Sequence, residues 1–160
     1  MTNNLNFDSS KQSEGSFIRQ NLETNIQPLV KSIVQRLKIE ATPAYSRLND
    51  YELRKIVEGA LQQTCRWVED GPAARIELDL QDGLSERLKL GFTVKDFVST
   101  TGIIEDECKK FCRKLFQSDP ALTDRAVHKI GFIYVNVNLI ETRLAMKYRQ
   151  DTSKNTISKK

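Results

Sequence analysis

From residue 120 to residue 150 the chain carries one helical pattern without a break, and any fold it adopts must house a rod of that length. Apolar residues fall at Ala126, Ile130, Ile133, Tyr134, Val137, Ile140, Leu144 and Tyr148. Steps of three and four keep such residues on one face of a helix with 3.6 residues per turn. Gly131 is the single glycine in the run. Asp119 followed by Pro120 suits a cap and a first helical position. Arg143, Lys147 and Arg149 put cations near the far end, where the helix dipole favours them. At about 1.5 Å per residue, a helix of this length crosses a small domain and projects past it.

The preceding chain repeats the pattern in shorter pieces. Ser16 is expected to cap a short turn holding Phe17, Ile18 and Leu22. Ile26, Leu29, Val30, Ile33, Val34 and Leu37 make one amphipathic stripe. Thr24 and Gln27 offer it a capping box, and Pro28 is acceptable in a first turn, which has no intrahelical donor to lose. Pro43 makes 41–49 a connector. Asn49 or Asp50 then caps a helix bearing Leu53, Ile56, Val57, Ala60, Leu61, Thr64 and Val68, which stops at Asp70-Gly71-Pro72. A weaker helix over 73–90, with Leu78 off its stripe, ends at Gly91. Thr93, with Asp96 in the first turn, caps the next. Its apolar face is Val94, Phe97, Val98, Thr101, Ile104, Cys108, Phe111, Cys112 and Leu115, and Gly102 within it marks a bend or a close helix approach.

No strand-like alternation persists anywhere. The fold expected is all-α, a bundle of about five helices on short loops with a long C-terminal helix. Residues 1–15, rich in Asn and Ser, read as a disordered leader, 16–150 as the helical domain, and 151–160 as a flexible polar tail. The 160 residues suit one domain with a core that needs neither disulfides nor metal. The net charge of +4 owes much to Lys147, Arg149, Lys154, Lys159 and Lys160, so no basic stripe argues for nucleic acid. No apolar run approaches the roughly 20 residues that cross a bilayer, and no secretion signal opens the chain. Three cysteines without framework spacing point to a reducing, cytoplasmic setting.

Chemistry-bearing residues are few. His128 is the only histidine. As a zinc ligand it lacks partners, since Cys108 and Cys112 stand one turn apart with no matching fourth ligand. As a haem ligand it needs an apolar pocket facing it. As a phosphoacceptor it sits in Ala126-Val127-His128-Lys129-Ile130-Gly131, which resembles the His-x-x-Lys-Gly setting of histidine phosphotransfer domains only loosely, with Lys at +1 and Gly at +3. The plainer use is an imidazole in an ordinary hydrogen bond. Cys65, Cys108 and Cys112 read as small core hydrophobes and Trp67 as a core residue. Glu105, Asp106 and Glu107 read as solvated surface. No phosphate loop, Ser-His-Asp order or zincin motif is present, so no enzyme activity, metal or cofactor is expected.

Two stretches carry a family likeness. One is Pro43-Ala44-Tyr45-Ser46-Arg47-Leu48-Asn49-Asp50-Tyr51-Glu52-Leu53. The other runs Leu84-Ser85-Glu86-Arg87-Leu88-Lys89-Leu90-Gly91-Phe92-Thr93-Val94-Lys95-Asp96-Phe97. Together they resemble the N-terminal sensor domain of RsbT co-antagonist proteins, the RsbR-type non-haem globins of the stressosome, over roughly residues 20–150. The resemblance implies a globin-like, haem-free helical module without a catalytic site. It also implies that the module dimerises and feeds an output domain, of STAS or kinase type, through its last helix. That output domain would be joined to the chain or separate from it.

The expectation is therefore a non-catalytic cytoplasmic sensor or regulatory domain, a homodimer in signal transduction and stress response. Ile133, Val137, Ile140, Leu144 and Tyr148 are expected to line either the core or the dimer interface. The competing expectations are a phosphorelay carrier using His128 and a haem-binding globin-like sensor using the same residue.

Overall fold

Six amphipathic stretches and one isolated Pro-led turn decide the architecture. The computed structural model describes residues 12–40, 42–70 and 73–157, and these form seven helices and no strand. They are α1 (Glu14–Thr24), α2 (Ile26–Glu40), α3 (Pro43–Ser46), α4 (Asp50–Asp70), α5 (Ala73–Lys89), α6 (Val94–Leu115) and α7 (Pro120–Ile157).

Several boundaries follow the capping chemistry expected of them. The Thr93 side chain accepts from the Asp96 amide while Asp96 returns a bond to the Thr93 amide at 2.7 Å, a reciprocal box that starts α6. Asn49 and Glu52 form the same arrangement at the start of α4. Asp119 accepts from the Leu122 amide at 2.9 Å and opens α7. Gly91 has φ +85°, a left-handed conformation that only glycine adopts without strain, and it ends the turn after α5.

Elsewhere the chain departs from the expected outline. The first element is a full helix capped by Ser13, whose hydroxyl accepts from the Ser16 amide, so the helical domain opens at Glu14. Residues 1–11, most of the expected leader, lie outside the described residues. Thr24 does not cap α2, because its hydroxyl donates back to the Gln20 carbonyl at 2.8 Å. Pro43 starts a short helix inside the expected connector, with Thr42 extended before it. These two additions bring five helices to seven. The stop at Gly71-Pro72 falls on residues outside the described set. α7 continues to Ile157, through most of the stretch read as a tail.

α7 is the spine. At 38 residues it measures about 57 Å. It packs mainly against α6 and α5 and more lightly against α4, while α1 and α2 cover α4 and α2 also reaches α6. Gly131 does not break it. Lys109 of α6 lies 3.0 Å from where a Cβ at Gly131 would stand, so the glycine admits a neighbour. The core runs the length of the bundle, from Phe17 and Phe116 at one end to Tyr45, Phe92 and Phe97 at the other. Each such side chain, fully buried, contributes about 1.5–3 kcal/mol.

Candidate interaction surface on the last helix

α7 carries two apolar stripes, and only one is used inside the molecule. The inner stripe holds Ile130, Ile133, Tyr134, Val137 and Ile140, all buried in the core, with Leu144 packed against it and Tyr148 half-buried. The residues expected to line either a core or a dimer interface are thus engaged within one chain. As a set they are not free to receive a second one. The physical reason is that α4, α5 and α6 all lie against that face.

The outer stripe is the one left bare. Phe132, Val135, Leu139 and Met146 are 58%, 57%, 65% and 58% exposed. With His128 before them and Thr142 between, they step along the helix by four, three, four, three and four. That alternation is the seam of a helix-on-helix contact, in which side chains of one helix enter holes on another. The other exposed large apolar residues are scattered, as Ile39, Tyr51, Leu78, Leu90 and Val98 on four other helices or their ends. Val98 had been placed on the inner face of α6 by its spacing; it looks outward instead. The outer stripe was open to the same reading as the inner one, because its members recur at the same steps. Interleaving hid it.

His128 is exposed and opens a hollow of about 550 Å³ at one end of this face, lined by Asp124, Arg125, His128, Lys129 and Phe132. A second hollow of about 430 Å³ lies at the other end, along Leu139, Thr142, Arg143, Met146, Lys147 and Gln150. The flanks are mostly cationic. Arg125 is held by Glu14 at 2.7 Å and Arg143 by Glu77 at 2.6 Å, which fixes the borders of the seam to α1 and α5.

Behind the seam the polar groups are distributed unequally. Glu107 is buried rather than solvated. It accepts from Ser32 at 2.5 Å and pairs with Arg36 at 2.8 Å, tying α6 to α2. Burial works to raise its pKa, but Ser32, Arg36 and Lys110 outweigh burial and hold it below the usual range. Glu141 is the contrary case. It is 2% exposed, its Oε2 has no hydrogen-bond partner, and its countercharge, Arg87, stands 3.6 Å from Oε1. Burial pushes its pKa up to about 7, with Arg87 pulling it back only in part. No spacing argument singled out Glu141. The available signal was a carboxylate four residues after Val137, on the apolar stripe.

Cys65, Cys108 and Cys112 are free and buried, as their place on apolar faces implied. Burial raises Cys65 and Cys112 to about 12 and Cys108 well above its ordinary value, so the thiols stay protonated and unreactive. Among the described residues no group of three or more His, Cys, Asp or Glu is placed to hold a metal ion. None of the described helices is long and apolar enough to cross a membrane. Comparison with family models, with curated proteins and with solved structures finds no match for this chain. The geometry defines an all-α helical bundle whose longest helix presents a bare apolar seam.

Proposed function

We propose that this chain is a non-catalytic regulatory module of signal transduction, working by protein–protein contact through the outer seam of α7, with a second copy of the chain as occupant. One observation carries the reading. Phe132, Val135, Leu139 and Met146 lie bare, at coiled-coil spacing, on a helix whose opposite face is buried from Ile130 to Ile140. Four apolar side chains more than half exposed amount to on the order of 400 Å², the size of patch that on a single chain marks an interaction site. A stable pair needs about 800 Å² from each partner, so a contact here also covers His128, Thr142 and the flanking stems of Lys129 and Lys147. The 3–4 spacing selects a helix as the occupant. A second α7 across a two-fold axis meets that demand with the surface already present. The three unreactive thiols suit a reducing, cytoplasmic setting. The output would pass to a downstream signalling protein, of STAS or kinase type as the family resemblance implies.

Sedimentation velocity over a range of concentrations tests this. The wild-type chain should associate, and Leu139→Asp should remain helical but monomeric. A wild-type chain that stays monomeric at high concentration removes the reading, and so does an undiminished dimer in Leu139→Asp.

Phosphotransfer at His128 stands as a second reading, because the imidazole is exposed beside Lys129, as a phosphoacceptor requires. Acid-labile phosphate on the chain from a kinase-loaded donor, lost in His128→Gln, would support it. A haem-sensor reading is tested by the Soret band on haem titration, and a flat spectrum removes it.

A further inference from the structure

We propose that Glu141 is a proton-binding site, and that the proton is the ligand through which this module adjusts the docking of α7 on α5. The site stands on the geometry around Glu141; its link to assembly rests on the reading of α7 as a contact helix. Glu141 is 2% exposed and lies on the stripe between Val137 and Ala145, both buried. One of its oxygens is orphaned and the other faces Arg87 at 3.6 Å, beyond a charge-assisted hydrogen bond, which closes to about 2.8 Å. A carboxylate left so poorly compensated in a buried place favours its neutral form. Neither of the two hollows described on α7 is lined by Glu141, and a proton is a ligand that needs no such space.

The surroundings define what else acts on it. From α5 comes Arg87, with Glu77 of the same helix turned to Arg143. On α7 itself Tyr134 lies within electrostatic reach. α6 presents Thr101, bonded to Asn138, and its two buried carboxylates are turned elsewhere, Asp96 to Thr42 and Thr93 and Glu107 to Ser32 and Arg36. α4 presents Thr64, bonded to Tyr134. Among the described residues Arg87 is therefore the one full charge directed at Glu141.

Arg87 is also committed elsewhere. Its Nε donates to the Gly83 carbonyl at 3.2 Å and its Nη1 to the Tyr45 hydroxyl at 3.4 Å. Its guanidinium sits 4.8 Å over the Phe97 ring. With Glu141 protonated, Arg87 stays with Tyr45 and Phe97. With Glu141 ionised, the guanidinium is drawn toward α7 and away from the ring cluster. Leu139 and Thr142, on either side of Glu141, face the outer seam, so the same shift is felt where a partner helix would seat. A proton moves on and off one carboxyl oxygen, and no other bond is made or broken.

Infrared titration of the full chain tests the site. The wild type should show a buried carboxylic-acid carbonyl band that disappears with a midpoint near neutral pH. The band should be missing in Glu141→Gln and should titrate at higher pH in Arg87→Met, which removes the countercharge. A band that titrates in the ordinary carboxylate range, or one unchanged by Glu141→Gln, overturns the proposal. Sedimentation at about pH 5.5 and about pH 8.5 tests the coupling, where one linked proton changes the dissociation constant by up to ~10-fold per pH unit. If the band behaves as described and the chain is monomeric throughout, the contact reading fails and the proton site stands. A dimer of equal strength at both pH values overturns the coupling.

Discussion

The hydroxyl of Tyr134 and that of Thr64 meet at 2.7 Å in the centre of the bundle, joining α7 to α4. Thr64 also lies 2.8 Å from the Ala60 carbonyl, to which its hydrogen goes, so Tyr134 is the donor of the pair. Burial pushes the Tyr134 hydroxyl well above its ordinary pKa, which keeps that hydrogen in place. The pair is a small polar island inside an apolar core, and its two halves are not equivalent. Tyr134→Phe removes a donor whose acceptor still has work with Ala60, at a cost of about 1 kcal/mol. Thr64→Val leaves the Tyr134 hydroxyl with only the Cys108 sulfur, a weak acceptor, and should cost about 1.5–3 kcal/mol. Urea denaturation of the two variants gives the ordering directly. Equal losses would mean that Tyr134 finds another acceptor.

The two faces of α7 separate folding from association. Val137 is buried and Leu139 exposed, two residues apart on one helix. An aspartate at 137 forces a charge into the core and should unfold the chain or cost more than about 4 kcal/mol. An aspartate at 139 meets solvent and should leave stability within about 0.5 kcal/mol, while abolishing self-association. Circular dichroism melts and sedimentation, run on both, read the two effects apart. A fold lost in Leu139→Asp would show that its side chain is needed within the monomer.

How much of this was legible in the sequence follows from what spacing records. A stripe at steps of three and four marks a buried face only if the helix has one. α7 has two such stripes, and the count is satisfied by whichever is noticed first. The inner stripe is the longer and satisfies the count by itself, and Phe132, Val135, Leu139 and Met146 interleave with it. Val98 on α6 shares the steps of four and three of the core face, from Val94 before it to Thr101 after it, and still lies exposed. Capping was read well at Thr93 and Asp119, where the side chain bonds locally and distant packing has no vote. Glu107 reads as solvated surface in the sequence and is buried in the fold, because its partners Ser32 and Arg36 lie about seventy residues away in the chain. Arg87 and Glu141 show the same limit, since neither carries any local sign of the other.

Two glycines should respond in opposite directions to alanine. A Cβ at Gly15 would stand 3.0 Å from the Val68 carbonyl oxygen and 3.2 Å from the Glu69 Cα, both backbone atoms that cannot step aside. Gly15→Ala should push α1 off α4 and destabilise by about 1–3 kcal/mol. Gly102 had been read as a bend or a close approach, but a Cβ there meets nothing within 4 Å. It lies exposed inside α6, so Gly102→Ala should stabilise by about 0.5–1 kcal/mol through helix propensity and a less flexible unfolded chain. Thermal melts of the two variants should shift in opposite directions. A stabilised Gly15→Ala would mean that α1 is free to move outward.

The pH dependence of stability should bend in two places, because buried carboxylates here are treated in two ways. Glu107 and Asp96 are held below their ordinary range despite burial, Glu107 by Ser32 and Arg36 and Asp96 by Thr42 and Thr93. The unfolded chain takes up those protons first, so their contribution is full above the ordinary carboxylate range and is lost as pH falls through the depressed folded values. Glu141 runs the other way. Its folded value of about 7 lies above the ordinary 4.5, so the folded chain binds the proton more tightly. That contribution is full below about pH 4.5 and is lost as pH rises through about 7, amounting to on the order of 3 kcal/mol. Wild-type stability should therefore climb from strong acid, peak in the mildly acidic range, and decline toward pH 8. Glu141→Gln keeps the shape of the neutral acid and cannot ionise, so it should erase the decline and be the more stable chain at pH 8, with the acid limb unchanged. Denaturation curves at half-unit intervals of pH decide it. A decline that persists in Glu141→Gln would assign it to another group.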